Sequence, residues 1–407
     1  MLTILEGEKM AHTIEAKAPG KVLWLGGYSI LERPNVGFVT TIDAYVHAAS
    51  KLTEGDNGIR IRAPDFSLDI KGTIDRDTGR LNVERSKELN LIATTIEVAL
   101  AYVLSKDVRL KGLDISTKND EAFAYKISDK SRAKAVSKSG MGSSSAVVVA
   151  TTASVLAAYN FDLYDDDALH KLSQLSHGLA TGKVGSGFDI AAATYGSIKY
   201  TRYSPSIISD FPKDFSIEDI SGIVKRKWDY NISKVALPKE FRTIMANFVN
   251  DAAITTSLVG SVNEFKKADP NAYSDLIRRM NDTAEKAIGA LNSISENGYR
   301  REYRDRLIES FRENRALSKE LGRRSNIDIE SDESTKLIND SENNGAIIAK
   351  LPGAGGKDSI VAISESDEDS LRLRKFWKDK SYLDILDVKM QNSGIIFEKN
   401  HEKQKMA

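Results

Sequence analysis

Between about residues 11 and 63, apolar and polar positions alternate through IEAKAPGKVLWLGG, GFVTTIDAYVHAAS and GIRIRA, with many β-branched residues. A period of two in such residues predicts half-buried strands. The period lengthens at LIATTIEVALAYVLS, which has helical spacing behind Asn90, a plausible N-cap. LKGLDISTK returns to the strand pattern, and the polar run AYKISDKSRAKAVSKSG predicts a loop or lid. GMGSSSAVVVATTASVLAAYN then reads as a glycine turn opening a long helix of small residues. DDDALHKLSQLSHGLATG predicts another helix, with Asp residues near its start where the dipole favours them. GSGFDIAAATYGSIKYTRYSP predicts a loop followed by a strand.

Pro205 and the acidic stretch to about Asp219 mark the expected crossing into a second domain. A chain of 407 residues is long for one core, so two domains are expected, 1–210 and 211–407. The second shows a strand at RTIMANFV and helical stretches at 271–293, 303–321 and about 334–343. GAIIAKLPGAGGKDSIVAISE reads as strand, glycine loop, strand. LRLRKFWKDK and LDILDVKMQNSGIIFE complete an α+β unit, and the last residues are expected to fray.

Composition narrows the chemistry. Lys plus Arg equals Asp plus Glu at 58 each, which removes the usual electrostatic driver of nucleic-acid binding, although a local basic patch can still attract an anionic metabolite. The absence of cysteine excludes disulfides, thiolate nucleophiles and Fe–S clusters. MLTILEGEKM lacks a basic leader region, and the longest apolar run falls short of the roughly 18 residues of a membrane span. A cytoplasmic location is expected. His170 and His177 share one helix face, but without a third ligand they read as surface or packing histidines.

Three glycine segments carry the candidate chemistry. In Gly140-Met141-Gly142-Ser143-Ser144-Ser145, glycines allow close backbone approach, and the following helix offers unpaired N–H groups and a positive dipole end. That combination suits a polyphosphate, although a serine-capped helix after a loop looks the same. It is neither a Walker A loop nor a dinucleotide fingerprint, lacking Gly-Lys-Ser/Thr and the third glycine. The second segment is Pro19-Gly20-Lys21 within an apolar strand, where a lysine either faces an anion or snorkels to water. The third is Leu351-Pro352-Gly353-Ala354-Gly355-Gly356-Lys357-Asp358, an anion-contacting loop or a plain hairpin. Asp189, after Gly185-Ser186-Gly187, is either presented to a site or a turn residue.

In this order the three segments resemble the motifs of the GHMP kinases, with Met141 in place of the usual Leu. Gly26-Gly27-Tyr28, in place of Gly-Glu-His, and the run from Gly185 to Tyr200 are similar to the phosphomevalonate-kinase subfamily. The resemblance implies an α+β, two-domain fold: an N-terminal ATP-binding domain like ribosomal protein S5 domain 2, and a ferredoxin-like C-terminal domain. It implies ATP-dependent phosphorylation of 5-phosphomevalonate to 5-diphosphomevalonate in the mevalonate (isoprenoid) pathway. The alternatives are a mevalonate kinase, a kinase of 3-phosphomevalonate, or a non-catalytic metabolite-binding relative.

The implied cofactors are ATP and Mg²⁺. Gly140 to Ser145 and Asn90 would bind ATP, with Ser144 as metal ligand. Lys21 and Asp189 would be catalytic, the Asp orienting the Lys or, with a hydroxyl acceptor, serving as base. Tyr28, Ser29, Lys183, Ser186, Gly187, Arg202 and Gly355 would line the acceptor together with that pair. Ser173 stands where mevalonate kinases carry a magnesium-binding Glu, so the metal is held by Ser144 and the nucleotide alone, or by another carboxylate. The expected partner is a small anionic substrate, with no nucleic acid and no membrane; a homodimer stays open.

Overall fold

A computed structural model of the chain describes residues 13–55, 57–123, 140–161, 165–249 and 255–400. The polar run at 124–139, expected as a loop or lid, and the tail from residue 401 lie outside the described residues.

The alternating N-terminal stretch forms β1 (Thr13–Leu25), β2 (Gly37–Thr53) and β3 (Gly58–Ala63), followed by β4 (Leu68–Ile74) and β5 (Leu81–Asn82). The next element, α1 (Lys87–Leu104), is capped by Ser86, whose hydroxyl accepts the Leu89 N–H at 3.1 Å. Asn90, expected as the cap, lies inside the first turn, and its amide donates to the Ala180 carbonyl at 2.9 Å. β6 (Gly112–Asn119) and α2 (Ser143–Ala158) follow. α2 is buried on all sides from Ser145 to Ala157, as its small Ala, Val, Ser and Thr side chains permit. It lies against β1, β2, α1 and α3 (Asp166–Thr181).

The sequence reading expects a plain loop after α3. The structure has α4 (Phe188–Tyr195) there, opened by Gly187 and closed by Gly196. Only two turns long, it leaves too short a hydrophobic period to read. β7 (Ile198–Thr201), α5 (Ser206–Ser209), α6 (Ile217–Lys225) and β8 (Asn231–Lys234) complete the first half. The second half runs β9 (Arg242–Phe248), α7 (Thr255–Ala268), α8 (Pro270–Asn297), α9 (Arg301–Arg324), α10 (Asp332–Asn343), β10 (Ile348–Lys350) and β11 (Ser359–Ser364). It ends in α11 (Asp367–Lys378), β12 (Leu383–Ile385), β13 (Met390–Gln391) and β14 (Ile396–Asn400).

The first sheet has the order β14-β1-β2-β6-β3-β4-β5, with β7 and β13 also paired to β2 and β8 to β7. The second has the order β10-β11-β9-β12, all antiparallel, which is the ferredoxin-like arrangement. Its core packs Leu337 and Ile338 of α10 and Leu373 and Trp377 of α11 against the sheet. The α8–α9 pair joins the two units. Phe311 sets its ring at 83° to Trp24 of β1, and Asn281 accepts the Val36 N–H at 2.8 Å.

The expected boundary at residue 210 does not coincide with the change of sheet. α6 packs on α1 and α3, Ile220 belongs to the first core, and β8 extends the first sheet. The crossing lies between β8 and β9, and the chain returns at its end through β13 and β14. Pro205 stands at the N-cap of α5, and Asp219 completes the capping box with Ser216 that opens α6, so this stretch starts two helices of the first unit.

Candidate active site

The site begins with a proline that cannot donate and a glycine that has no room. Pairing of β1 with β2 shifts register between Pro19 and Lys21, and a Cβ on Gly20 would stand 2.9 Å from Ile42 Cδ1. Such a bulge re-aims the residue after it. Here it turns Lys21 onto the phosphate-loop segment, where its N–H donates to the Met141 carbonyl at 2.9 Å and its ammonium to the Gly140 carbonyl at 2.7 Å. Gly142, at φ +79°, is needed twice over, since a Cβ there would meet Lys21 Cε at 2.8 Å. Burial holds the Lys21 ammonium below the ordinary lysine pKa, opposed by the carboxylates of Asp189 and Asp358. The Phe188 ring lies 5.2 Å from the ammonium.

Gly142 caps α2 with no side-chain bond, and the first main-chain bond of that turn is Ala146 N–H to the Gly142 carbonyl at 3.1 Å. The N–H groups of Ser143, Ser144 and Ser145 are therefore the orphan donors of a helix N-terminus. The expected nucleotide segment forms one turn, but its side chains divide their work. Met141 is fully buried in the core and anchors the turn. The Ser145 hydroxyl donates to Asp189 at 2.6 Å, leaving its N–H for a ligand. Ser143 and Ser144 are half-buried. Asn90 is committed to Ala180, and no described contact joins it to this turn.

Asp189 sits in the first turn of α4, set by Gly187 at φ +79°. Gln174 donates to the Gly187 carbonyl at 2.7 Å, and the Tyr200 hydroxyl to the Ser186 carbonyl at 3.2 Å. A Cβ on Gly187 would stand 2.7 Å from the Gln174 amide, so only glycine fits. The expected Lys21–Asp189 pair is modified: Asp189 bonds Ser145, while its charge acts on an ammonium bonded to Gly140. The sequence reading missed Asp358 as a site residue. Its Cβ lies 3.7 Å from where a Gly140 Cβ would stand, so the third glycine loop delivers a second carboxylate to Lys21. An acidic residue directly after Gly355-Gly356-Lys357 was the available signal.

On the acceptor side, the Tyr28 hydroxyl donates to the Ala354 carbonyl at 2.8 Å, joining the first and third glycine segments. Ser29 is buried, and its hydroxyl makes no hydrogen bond among the described residues. Gly355 is buried at φ +79°, where a Cβ would meet the Ile329 carbonyl at 2.4 Å. Arg202, expected as a cation facing the acceptor, is buried instead. Its guanidinium donates to the carbonyls of Leu31 at 3.0 Å and Gly185 at 2.9 Å, fastening the Tyr28–Ser29 turn to the loop before Asp189. Lys183 is exposed in the turn after α3, and no described contact brings it to Lys21. Lys357 pairs with Glu333 at 2.7 Å.

His170 packs between Tyr195 and Tyr230, and burial pushes its pKa down to about 3, so it is a neutral core ring. Among the described residues no three His, Cys, Asp or Glu side chains group as metal ligands, and no helix is long and apolar enough to cross a membrane.

A helix N-terminus gripped by a strand lysine, between an α+β unit and a ferredoxin-like unit, is the arrangement expected of the GHMP-kinase fold. Residues 90–197 match the family model of the GHMP kinases N terminal domain. The curated relatives carry one name: the chain is 28% identical to a phosphomevalonate kinase of Gibberella zeae, over 94% of this chain and 96% of that one. It is 25% identical to a peroxisomal phosphomevalonate kinase of Arabidopsis thaliana, over 95% and 96%. Its fold matches that of a Streptococcus pneumoniae phosphomevalonate kinase solved with phosphomevalonate and AMPPNP, at a TM-score of 0.71 and 20% identity, covering 93% of this chain and 99% of that one. The resemblance drawn from the three motifs therefore holds.

Proposed function

We propose that the protein transfers the γ-phosphoryl group of ATP to the phosphate of 5-phosphomevalonate, releasing ADP and 5-diphosphomevalonate for isoprenoid synthesis. The observation that carries this reading is the pair of hydrogen bonds from Lys21, main-chain N–H to the Met141 carbonyl and ammonium to the Gly140 carbonyl, which sets the ammonium beside the open N-terminus of α2. The curated relatives supply the acceptor class.

The acceptor's chemistry fits the residues. A phosphate monoester has its second pKa near ~6, so its attacking oxygen is already mostly deprotonated at neutral pH and needs no strong base. A new bond forms between that oxygen and the γ-phosphorus as the bond to the β–γ bridging oxygen breaks, and ADP leaves. The demand on the protein is to bring two polyanions together and meet the charge as it shifts. The N–H groups of Ser143 to Ser145 hold the nucleotide phosphates, and Lys21 faces the transferring group. Asp189 fixes the first turn of α2 through Ser145 and balances Lys21.

Ser144, half-buried in the first turn of α2, is the residue that would hold Mg²⁺, an ion bound chiefly by phosphates and water. When bound, the ion neutralises the β- and γ-phosphate oxygens. The cysteine-free composition supports a cytoplasmic setting.

Coupled ADP-release assays over mevalonate, 3-phosphomevalonate and 5-phosphomevalonate test the reading. Turnover is expected with 5-phosphomevalonate. Turnover with mevalonate alone would refute it.

A further inference from the structure

Lys350 is the last residue of β10, in the second sheet, yet its ammonium donates to the Trp24 carbonyl of β1. Two more bonds cross the same seam: Gly353 N–H to the Leu23 carbonyl at 3.0 Å, and the Tyr28 hydroxyl to the Ala354 carbonyl at 2.8 Å. The seam is tight, since a Cβ on Gly27 would stand 2.3 Å from the Gly353 carbonyl. β1 is the strand that holds Lys21, and the loop after Lys350 is the one that delivers Asp358.

We propose that Lys350 is a positioning residue of phosphotransfer, a charged latch that fixes the third glycine loop to the strand bearing Lys21 and so sets the gap the acceptor occupies.

A merely structural reading explains the residue poorly. A buried ammonium facing a carbonyl rather than a carboxylate is costly, and an apolar side chain would fill such a space with less penalty. Burial lowers the Lys350 pKa to about 8, opposed by Glu330. Glu330 is itself committed to Arg315 at 2.6 Å, to Lys319 and to Thr335, and among the described residues no carboxylate pairs directly with Lys350. Its charge is thus left to act on the seam.

This proposal rests on the kinase reading, and two independent readouts keep their failures apart. In hydrogen exchange on the ligand-free full chain, Lys350→Met should speed exchange of the amides at 22–28 and 351–356 by about fivefold or more, with α2 unchanged. In steady-state kinetics the same variant should lower kcat and raise the acceptor KM, each about tenfold, with the ATP KM within about twofold. Lys350→Arg, which keeps a charged donor, should restore most of both.

Kinetics and exchange indistinguishable from the unsubstituted protein would overturn the latch. So would a loss of protection spread over the whole chain that arginine does not repair. If the unsubstituted protein phosphorylates no mevalonate derivative, the kinase reading fails, while exchange at the seam still decides the latch.

Discussion

Lys21 makes two bonds to one turn, and its role is the most exposed to test. With Lys21→Met the phosphate-loop segment keeps its main-chain bond to β1, so nucleotide should still bind, while kcat should fall roughly 10²-fold or more. Asp189→Asn removes the charge that balances the ammonium but keeps a partner for Ser145, so it should also lower kcat, by about tenfold to a hundredfold. Unchanged turnover in both would remove the site from this part of the molecule. His170 gives a pH prediction. Its pKa falls from 6.5 to about 3 on folding, so the neutral ring contributes fully above pH 6.5 and loses that contribution as pH drops towards 3. At about 1.4 kcal/mol per unit, stability at pH 4 should be roughly 3 kcal/mol lower than at pH 7 from this ring alone. His170→Phe, which keeps the contacts with Tyr195 and Tyr230, should flatten that acid slope in urea titrations at the two pH values.

At the scale of elements, the site is an arrangement of ends: a bulge in β1 and the N-termini of α2 and α4. Each end depends on a residue that nothing else could replace. Gly142→Ala combines a left-handed φ with a contact on Lys21 Cε, so it should raise the ATP KM and lower kcat together, read from initial rates over both substrates. Gln174 holds the N-terminus of α4 by donating to the Gly187 carbonyl and also contacts His170 at 2.9 Å. Gln174→Ala removes one of the two donors to the Gly187 carbonyl, leaving the Ala191 N–H, and should cost about 1 kcal/mol, measured as a drop in the urea midpoint. It should also lower kcat, because Asp189 rides on that turn.

Across the whole molecule, the two units are bound together by chain return as well as by the seam at Lys350. β14 pairs Ile396 to Asn400 with β1, from Lys17 back to Thr13, and β13 pairs with β2. Truncation after Val388 should therefore expose an edge of β1 and lower the melting temperature of the first sheet, not only of the second unit, seen as two separated calorimetric transitions. The three glycine segments and most long helices were legible in the sequence, because composition and local period mark them. α4 was too short to show a period, and the α1 cap was misplaced because Asn90 and Ser86 offer the same chemistry one turn apart. Arg202 looked like a free cation because its two carbonyl partners, at Leu31 and Gly185, leave no mark in its neighbourhood. Asp358 and Lys350 were missed for the same reason, since their partners lie hundreds of residues away in the first unit.

The most direct test is a crystal structure of the protein with a non-hydrolysable ATP analogue and 5-phosphomevalonate. The β- and γ-phosphates should rest on the N–H groups of Ser143 to Ser145, with the acceptor phosphate about 3–3.5 Å from the γ-phosphate and in contact with the Lys21 ammonium. A nucleotide bound elsewhere, with the α2 N-terminus empty and no phosphate in contact with the Lys21 ammonium, would contradict the account.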